Sequence, residues 1–210
     1  AAATAREVQV LSLETSLAVQ ALQVSGTVVG FCQEPGSSAL SILDSNGNIS
    51  TWDWENNKTK IVKASPNGSL RSYAATHIDA PDAKKQLISR IILTTSQKGS
   101  NIYVGDKIAY KTKYALQDVH AFGTLEFVMA TGPAVVVLGR RKANSTDDFT
   151  WAELATSGQL TCAHSALRRD GQAGSPPGLR LALGNADGQI HLYEDVSRLF
   201  NGKELPSPRI

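Results

Sequence analysis

The sequence predicts an all-β fold of the β-propeller class, and three observations carry that prediction. A hairpin signature occurs twice: Leu-Gly-Asn-Ala-Asp-Gly-Gln-Ile-His-Leu-Tyr-Glu-Asp, residues 183–195, repeats the layout of Ser-Asn-Gly-Asn-Ile-Ser-Thr-Trp-Asp, residues 45–53. Gly188, Ile190, Tyr193 and Glu194 fall on Gly47, Ile49, Trp52 and Asp53, and each stands 141 residues after its counterpart. That offset divides into three units of about 47 residues, slightly above the ~40–45 residues of a WD-repeat blade. Finally, short β-branched runs alternate with turns rich in Gly, Asn, Asp and Pro, and no long amphipathic helix interrupts them. Parallel α/β sheets need regular crossover helices, which excludes that class. A β-sandwich shares the short strands, but aligned copies at a fixed offset favour radial repetition.

In chain order, residues 8–13 alternate Val8, Val10 and Leu11 or Leu13 with polar neighbours, as a strand that can belong to a neighbouring blade does. Residues 17–24 fit helix and strand templates comparably, and the following Thr27-Val28-Val29 favours strand. Residues 39–43 and 49–54 flank a hairpin turn in which Asn46-Gly47 suits positive φ. Further strands are expected at 60–64, 70–75, 87–95, 101–104 and 107–112, then at 116–122, 127–131, 134–138 and 149–154. Val135-Val136-Val137-Leu138 has no polar alternation, so both of its faces should be covered. Residues 160–167 and 179–183 lead into the second copy of the hairpin, where Gly188 permits the turn, Ile190 and Leu192 bury and Tyr193 closes. Residues 195–200 suit one helical turn, capped by Asp195 and ended by Asn201-Gly202. The expected organisation is a partial propeller over 1–210, as about four blades of a larger, tandem-propeller protein. Their bounds are roughly 8–58, 59–112, 113–155 and 156–200, with 201–210 linking to a further blade.

Charge says little about partners, because the 210 residues carry a net charge of only +2. Cys32 and Cys162 lie in apolar runs without metal-ligand spacing and read as buried free thiols, as in a reducing compartment. No window is long and apolar enough for a membrane span and residues 1–14 lack the pattern of a signal peptide, so a soluble intracellular chain is expected. Four Asn-x-Ser/Thr triplets, at Asn48, Asn57, Asn67 and Asn144, read as chance products of polar turns. The sequence contains no Gly-x-Ser-x-Gly, phosphate loop, His-Glu-x-x-His or metal-spaced Cys/His set. The expectation is therefore a non-enzyme with no catalytic residue, cofactor or metal. Asp44, Asn46, Gly47, Asp53, Asp187 and Gly188 should build turns, the aspartates by accepting backbone N–H bonds, and Trp52, Trp54 and Tyr193 should pack between blades. His77, His120, His164 and His191 should bond within a blade or lie exposed. Clustered cations at Arg140-Arg141-Lys142 and Arg168-Arg169 are the candidates for contact with RNA or a partner, since they release counterions on meeting a polyanion.

One stretch adds a specific likeness. Leu160-Thr-Cys-Ala-His164, then Leu-Ala-Leu-Gly-Asn-Ala-Asp-Gly-Gln-Ile-His-Leu-Tyr over 181–193 and on to Phe200, resembles a blade of the nucleolar WD-repeat subunits of the UtpA (t-UTP) subcomplex of the small-subunit processome. Residues 43–54 and 120–137 are similar to earlier blades of the same family, although Tyr193-Glu194 stands where Trp-Asp is usual. The resemblance implies a scaffold in early ribosome biogenesis, located in the nucleus and nucleolus. It would bind other UtpA subunits and processome proteins and the 5′ leader of precursor rRNA, supporting its transcription and processing, with no membrane or small-molecule substrate. The alternative is a generic WD-repeat adaptor for protein–protein interaction in another intracellular complex.

Overall fold

A computed structural model describes the chain except for residues 1, 4, 35, 65, 79–86, 144, 169–177, 206, 209 and 210. Its strands form five consecutive antiparallel sheets among the described residues. Sheet 1 holds β1 (Ala2–Ala3), β2 (Glu7–Leu11) and β3 (Ala18–Gln23). Sheet 2 holds β4 (Val28–Gln33), β5 (Leu40–Asp44), β6 (Asn48–Asp53) and β7 (Lys58–Lys63). Sheet 3 holds β8 (Ser69–Ile78), β9 (Leu87–Ser96), β10 (Gly99–Val104) and β11 (Lys107–Thr112). Sheet 4 holds β12 (Asp118–Phe122), β13 (Phe127–Gly132), β14 (Val135–Arg141) and β15 (Phe149–Ala155). Sheet 5 holds β16 (Leu160–Arg168), β17 (Gly178–Asn185) and β18 (Ile190–Tyr193), followed by a 3-10 helix, Ser197–Asn201.

In every sheet the strands are ordered as in the sequence, so each is an up-and-down meander closed by short turns. The core lies between sheets. Val8 of sheet 1 packs with Leu40, Ile42 and Trp52 of sheet 2, while Leu43 and Ile49, on the other face of sheet 2, pack with Tyr73, Ile92 and Tyr103 of sheet 3. Ile91, Leu93 and Ile102 then meet Val119, Val128 and Val137 of sheet 4, and Phe127, Met129 and Leu138 meet Leu179, Leu181 and Leu183 of sheet 5. Central strands thus bury both faces, which is why 135–138 lacks polar alternation: all four residues are at most 2% exposed.

The unit bounds differ from expectation. Residues 8–58 divide between sheets 1 and 2, and Lys58–Lys63 is the outer strand of sheet 2 and not the first strand of the next unit. Leu70 and Ala75 lie inside one long strand, β8, which is the inner strand of sheet 3. Turns within and between sheets have the same Gly, Asn and Ser composition, so composition marks a reversal of the chain without saying which sheet receives the next strand. The 3-10 helix starts after Asp195, whose Oδ1 accepts the Ser197 N–H at 2.9 Å, and ends on Gly202 at φ 66°.

Candidate functional site

The repeated hairpin is built the same way twice: Asp44 anchors the first copy as expected, and the second is anchored two residues before the expected Asp187. Asp44 Oδ1 accepts the backbone N–H groups of Asn46 and Asn48, each at 2.9 Å. Its Oδ2 accepts the Ser25 hydroxyl at 2.7 Å and the Gly26 N–H at 3.1 Å, tying the turn to the loop that enters the sheet. In the second copy Asn185 takes this place: its Oδ1 accepts Asp187 N–H at 3.1 Å and Gln189 N–H at 3.0 Å, and its Nδ2 donates to the Ser157 carbonyl. Asp187 is exposed, and among the described residues no side-chain acceptor role is seen for it, because the oxygen that bridges such a turn must come from the residue before it. Gly47 and Gly188 both occupy positive φ, at 80° and 78°, and a Cβ on Gly47 would lie 2.7 Å from the Ala64 carbonyl oxygen. Asn46 donates through Nδ2 to the Ser25 hydroxyl, and Asp53 accepts from the Asn56 backbone and side chain.

Trp52 is fully buried between sheets 1 and 2, Trp54 packs on the same cluster and donates to the Ser38 carbonyl at 2.9 Å, and Tyr193 packs between sheets 4 and 5. Ile190 and Leu192 depart from expectation, being 58% and 45% exposed. Tyr193 pairs with Leu181 and His191 with Leu183, both buried against sheet 4, so alternation turns Ile190 and Leu192 to the opposite face. Cys162 is likewise exposed; Cys32 is partly covered, and burial pushes its thiol up to about 11. Neither is in a disulfide.

Antiparallel meanders sort the loops into two ends. In sheets 2 to 5, connections between the first and second and between the third and fourth strands share one end, and the remaining turns share the other. Arg140, Arg141 and Lys142 begin the third-to-fourth connection of sheet 4, and Arg168 ends the first strand of sheet 5 at that same end; Arg169 lies outside the described residues. Arg141 is already engaged: its guanidinium donates to the carbonyls of Leu125 at 3.1 Å, Ser145 at 2.8 Å and Thr124 at 3.3 Å. It closes two loops upon each other; beside it Arg140 is half-buried and Lys142 exposed. Sequence reasoning passed over a second basic strip. All six residues of β7, Lys-Thr-Lys-Ile-Val-Lys, are exposed, with Lys58, Lys60 and Lys63 along the outer edge of sheet 2. Its signal was the clustering of Lys58, Lys60 and Lys63 in a short β-branched run after a turn. By contrast Lys107 pairs with Asp147 across sheets 3 and 4, where Tyr110 also stacks on Trp151 at 4.8 Å and donates to Glu153.

The inner strands β4, β8 and β12 line a groove of about 470 Å³ that contains Phe31, Cys32, Ser72, Asp118 and His120. Asp118 stands in the middle: Ser72 donates its hydroxyl to Oδ1, and His120 Nε2 lies 3.0 Å from Oδ2. Burial pushes the Asp118 carboxyl up, but hydrogen bonds from His120, Ser72 and the Val119 N–H outweigh it and hold the pKa below the usual range. The bond to Asp118 raises that of His120 against partial burial. Ser72 comes from sheet 3 and Asp118 from sheet 4, so their bond latches the two sheets together. Among the described residues no group of three or more His, Cys, Asp or Glu side chains could hold a metal ion.

No family model and no curated protein matches the chain. Solved structures do. The β-propeller domain of Cps50 (Swd1) from Myceliophteria thermophila aligns over 97% of this chain and 66% of its own length, at 11% identity and a TM-score of 0.60. KlAtg21, solved in complex with the coiled coil of AgAtg16, aligns over 93% of this chain and 61% of its own length, at 8% identity and a TM-score of 0.59. The chain thus spans less than two thirds of either, and at these identities the likeness is one of fold.

Proposed function

We propose that this β-propeller chain is part of a non-enzymatic scaffold of early ribosome biogenesis, which binds UtpA partners and the 5′ leader of precursor rRNA in the nucleolus. The fold fits a protein-interaction scaffold, with stacked sheets holding two rims of loops. The observation that carries the finer reading is the concentration of the UtpA-like residues. Those of 160–164 and 181–193 belong to a single sheet, β16–β18, and continue into the 3-10 helix that packs beside it through Leu199 and Phe200. Tagged full-length protein should co-purify with processome proteins and leader RNA and concentrate in the nucleolus. Absence of both from the purified complex overturns the reading, and exclusion from the nucleus selects an adaptor of another complex.

RNA contact rests on the surface cations. Arg140 and Lys142, together with Lys58, Lys60 and Lys63, are the groups offered to phosphate. Reversing charge at Arg140 and Lys142 should weaken binding of the leader RNA and flatten its dependence on salt, the slope falling by roughly 0.7 for each phosphate of a single strand that is no longer neutralised. Crosslinks that never reach these loops or β7, with binding unchanged by the reversal, would remove direct contact from the proposal.

A further inference from the structure

Sheets 3 and 4 are joined along their outer strands, and sheets 2 and 3 are not. Between sheets 3 and 4, Tyr110 of β11 stacks on Trp151 of β15 at 4.8 Å, Tyr110 and Thr112 donate to Glu153, and Lys107 pairs with Asp147. Among the described residues no ion pair or side-chain hydrogen bond joins β7 to β11. Strand pairing shows what each turns toward the other. Lys58, Lys60 and Val62 lie opposite Asp53, Thr51 and Ile49, and Ile49 packs on sheet 3, so all three share the face that looks at sheet 3. Ile108 and Lys111 lie opposite Tyr103 and Asn101, and Tyr103 packs on sheet 2, so they look back across the gap. Val62 is 44% exposed and Ile108 41%, and Lys58, Lys60 and Lys111 are exposed beside them.

A cavity of about 250 Å³ opens between the same two sheets, lined by Lys63, Ala64, Pro66, Ile92, Tyr103 and Asp106. About 150 Å³ is enough to hold a benzene ring. Both sheets have four strands and are consecutive in the chain, so any sheet that precedes or follows them enters at another interface. The closure of sheets 3 and 4 shows what fits such a gap: a ring and carboxylates from one side meet the cation and hydroxyls of the other. Between sheets 2 and 3 cations stand on both walls. Asp53 beside Lys58 and Asp106 at the cavity are the acids placed there, which leaves Lys60, Lys63 and Lys111 in excess. Phosphate would satisfy these lysines but leave Val62, Ile108 and the cavity uncovered, and Tyr103, at 5% exposure, is too buried to stack on a base.

We propose that the cleft between β7 and β11 binds an acidic segment of a partner protein, with an aromatic side chain entering the cavity and flanking carboxylates meeting Lys60 and Lys111. This does not rest on the ribosomal reading: RNA needs only the lysines, whereas the segment needs the apolar walls as well. A fluorescent peptide of residues 146–155 of this chain is the probe, since it carries Asp147, Asp148, Trp151 and Glu153. It should bind full-length protein saturably and more tightly than a scrambled peptide of the same composition. Lys60→Glu combined with Lys111→Glu, both at exposed positions, should weaken binding at least tenfold. Trp151→Ala in the peptide should do the same, and Val62→Ser in the protein should weaken it several-fold. Binding indifferent to the charge reversal or to loss of the ring overturns the proposal. So does a Val62→Cys thiol that maleimide leaves unlabelled in the free protein, read by peptide mass, which assigns the cleft to the protein's own chain. A poly-uridine strand that outcompetes the peptide at equal concentration assigns the cleft to nucleic acid and overturns it as well.

Discussion

Asp44 is 2% exposed, and its carboxylate gathers the turn of β5 and β6 and the loop ahead of β4 into one knot. Burial pushes its pKa up, but hydrogen bonds from Ser25, from the Asn48 backbone and side chain and from the Gly26 N–H reverse the shift and lower it. Removing the acceptor strands several donors, so Asp44→Ala should cost about 2–3 kcal/mol, read as a lower urea midpoint at an unchanged slope. Asp44→Asn should cost less than Asp44→Ala, because Asn185 performs the same backbone bridging. Residue roles were only partly legible in the sequence. Turn glycines are named by their φ requirement, whereas Asp44 and Asn185 differ in type, and nothing in composition says that the amide does the carboxylate's work at one site. Asp118 and His120 give the prediction that pH tests. The lowered Asp118 pKa adds stability above the ordinary carboxylate range that is lost as pH falls through its folded value. The raised His120 pKa adds stability below the ordinary imidazole range that is lost as pH rises through its folded value. Between those ranges both contributions are present, so His120→Gln should remove the decline in stability on the alkaline side and also shrink the acid limb, because His120 supplies the first of the bonds that hold Asp118 low, which denaturation at successive pH values measures.

At the scale of elements, strand identity was legible because periodicity two and β-branched composition are local properties, and 127–131 or 107–112 need nothing distant to be read. Sheet membership was not, since the exposed strand Lys58–Lys63 is placed by its pairing with β6 and not by its own sequence. Face was legible only where alternation is anchored: Ile49 is buried because sheet 3 covers it, while its counterpart Ile190 has the same sequence context and no covering sheet among the described residues. Close approach of strands leaves a sharper mark. Gly139 pairs with Trp151, and a Cβ there would come within 2.5 Å of the indole ring. Gly139→Ala must therefore displace Trp151 from its stack on Tyr110, at a cost of about 1–3 kcal/mol. Near-ultraviolet circular dichroism should lose intensity along with the fall in stability, whereas Gly105→Ala, which meets nothing within 4 Å, should cost only its positive-φ strain and leave the aromatic signal intact.

At the scale of the whole molecule, each core cluster is confined to one pair of consecutive sheets, so the chain holds together as a row of nearest-neighbour interfaces. This arrangement has a thermodynamic signature that a single central core would not show. Ile42 belongs to the interface of sheets 1 and 2 and Leu138 to that of sheets 4 and 5; both are fully buried and share no cluster. Each truncation to Ala should cost about 2–5 kcal/mol through reduced burial and the cavity left behind. Because no packed side chain connects the two sites, their costs should add to within about 0.5 kcal/mol in the double variant. Ile42 and Trp52 lie in the same cluster, so Ile42→Ala combined with Trp52→Ala should deviate from additivity by roughly 0.5–3 kcal/mol as one enlarged cavity relaxes. Denaturant unfolding of the three single and two double variants distinguishes the cases. Strong coupling between Ile42 and Leu138 would show the sheets responding as one body, and the loops at the two ends would then be positioned by the whole stack and not by the sheet that bears them.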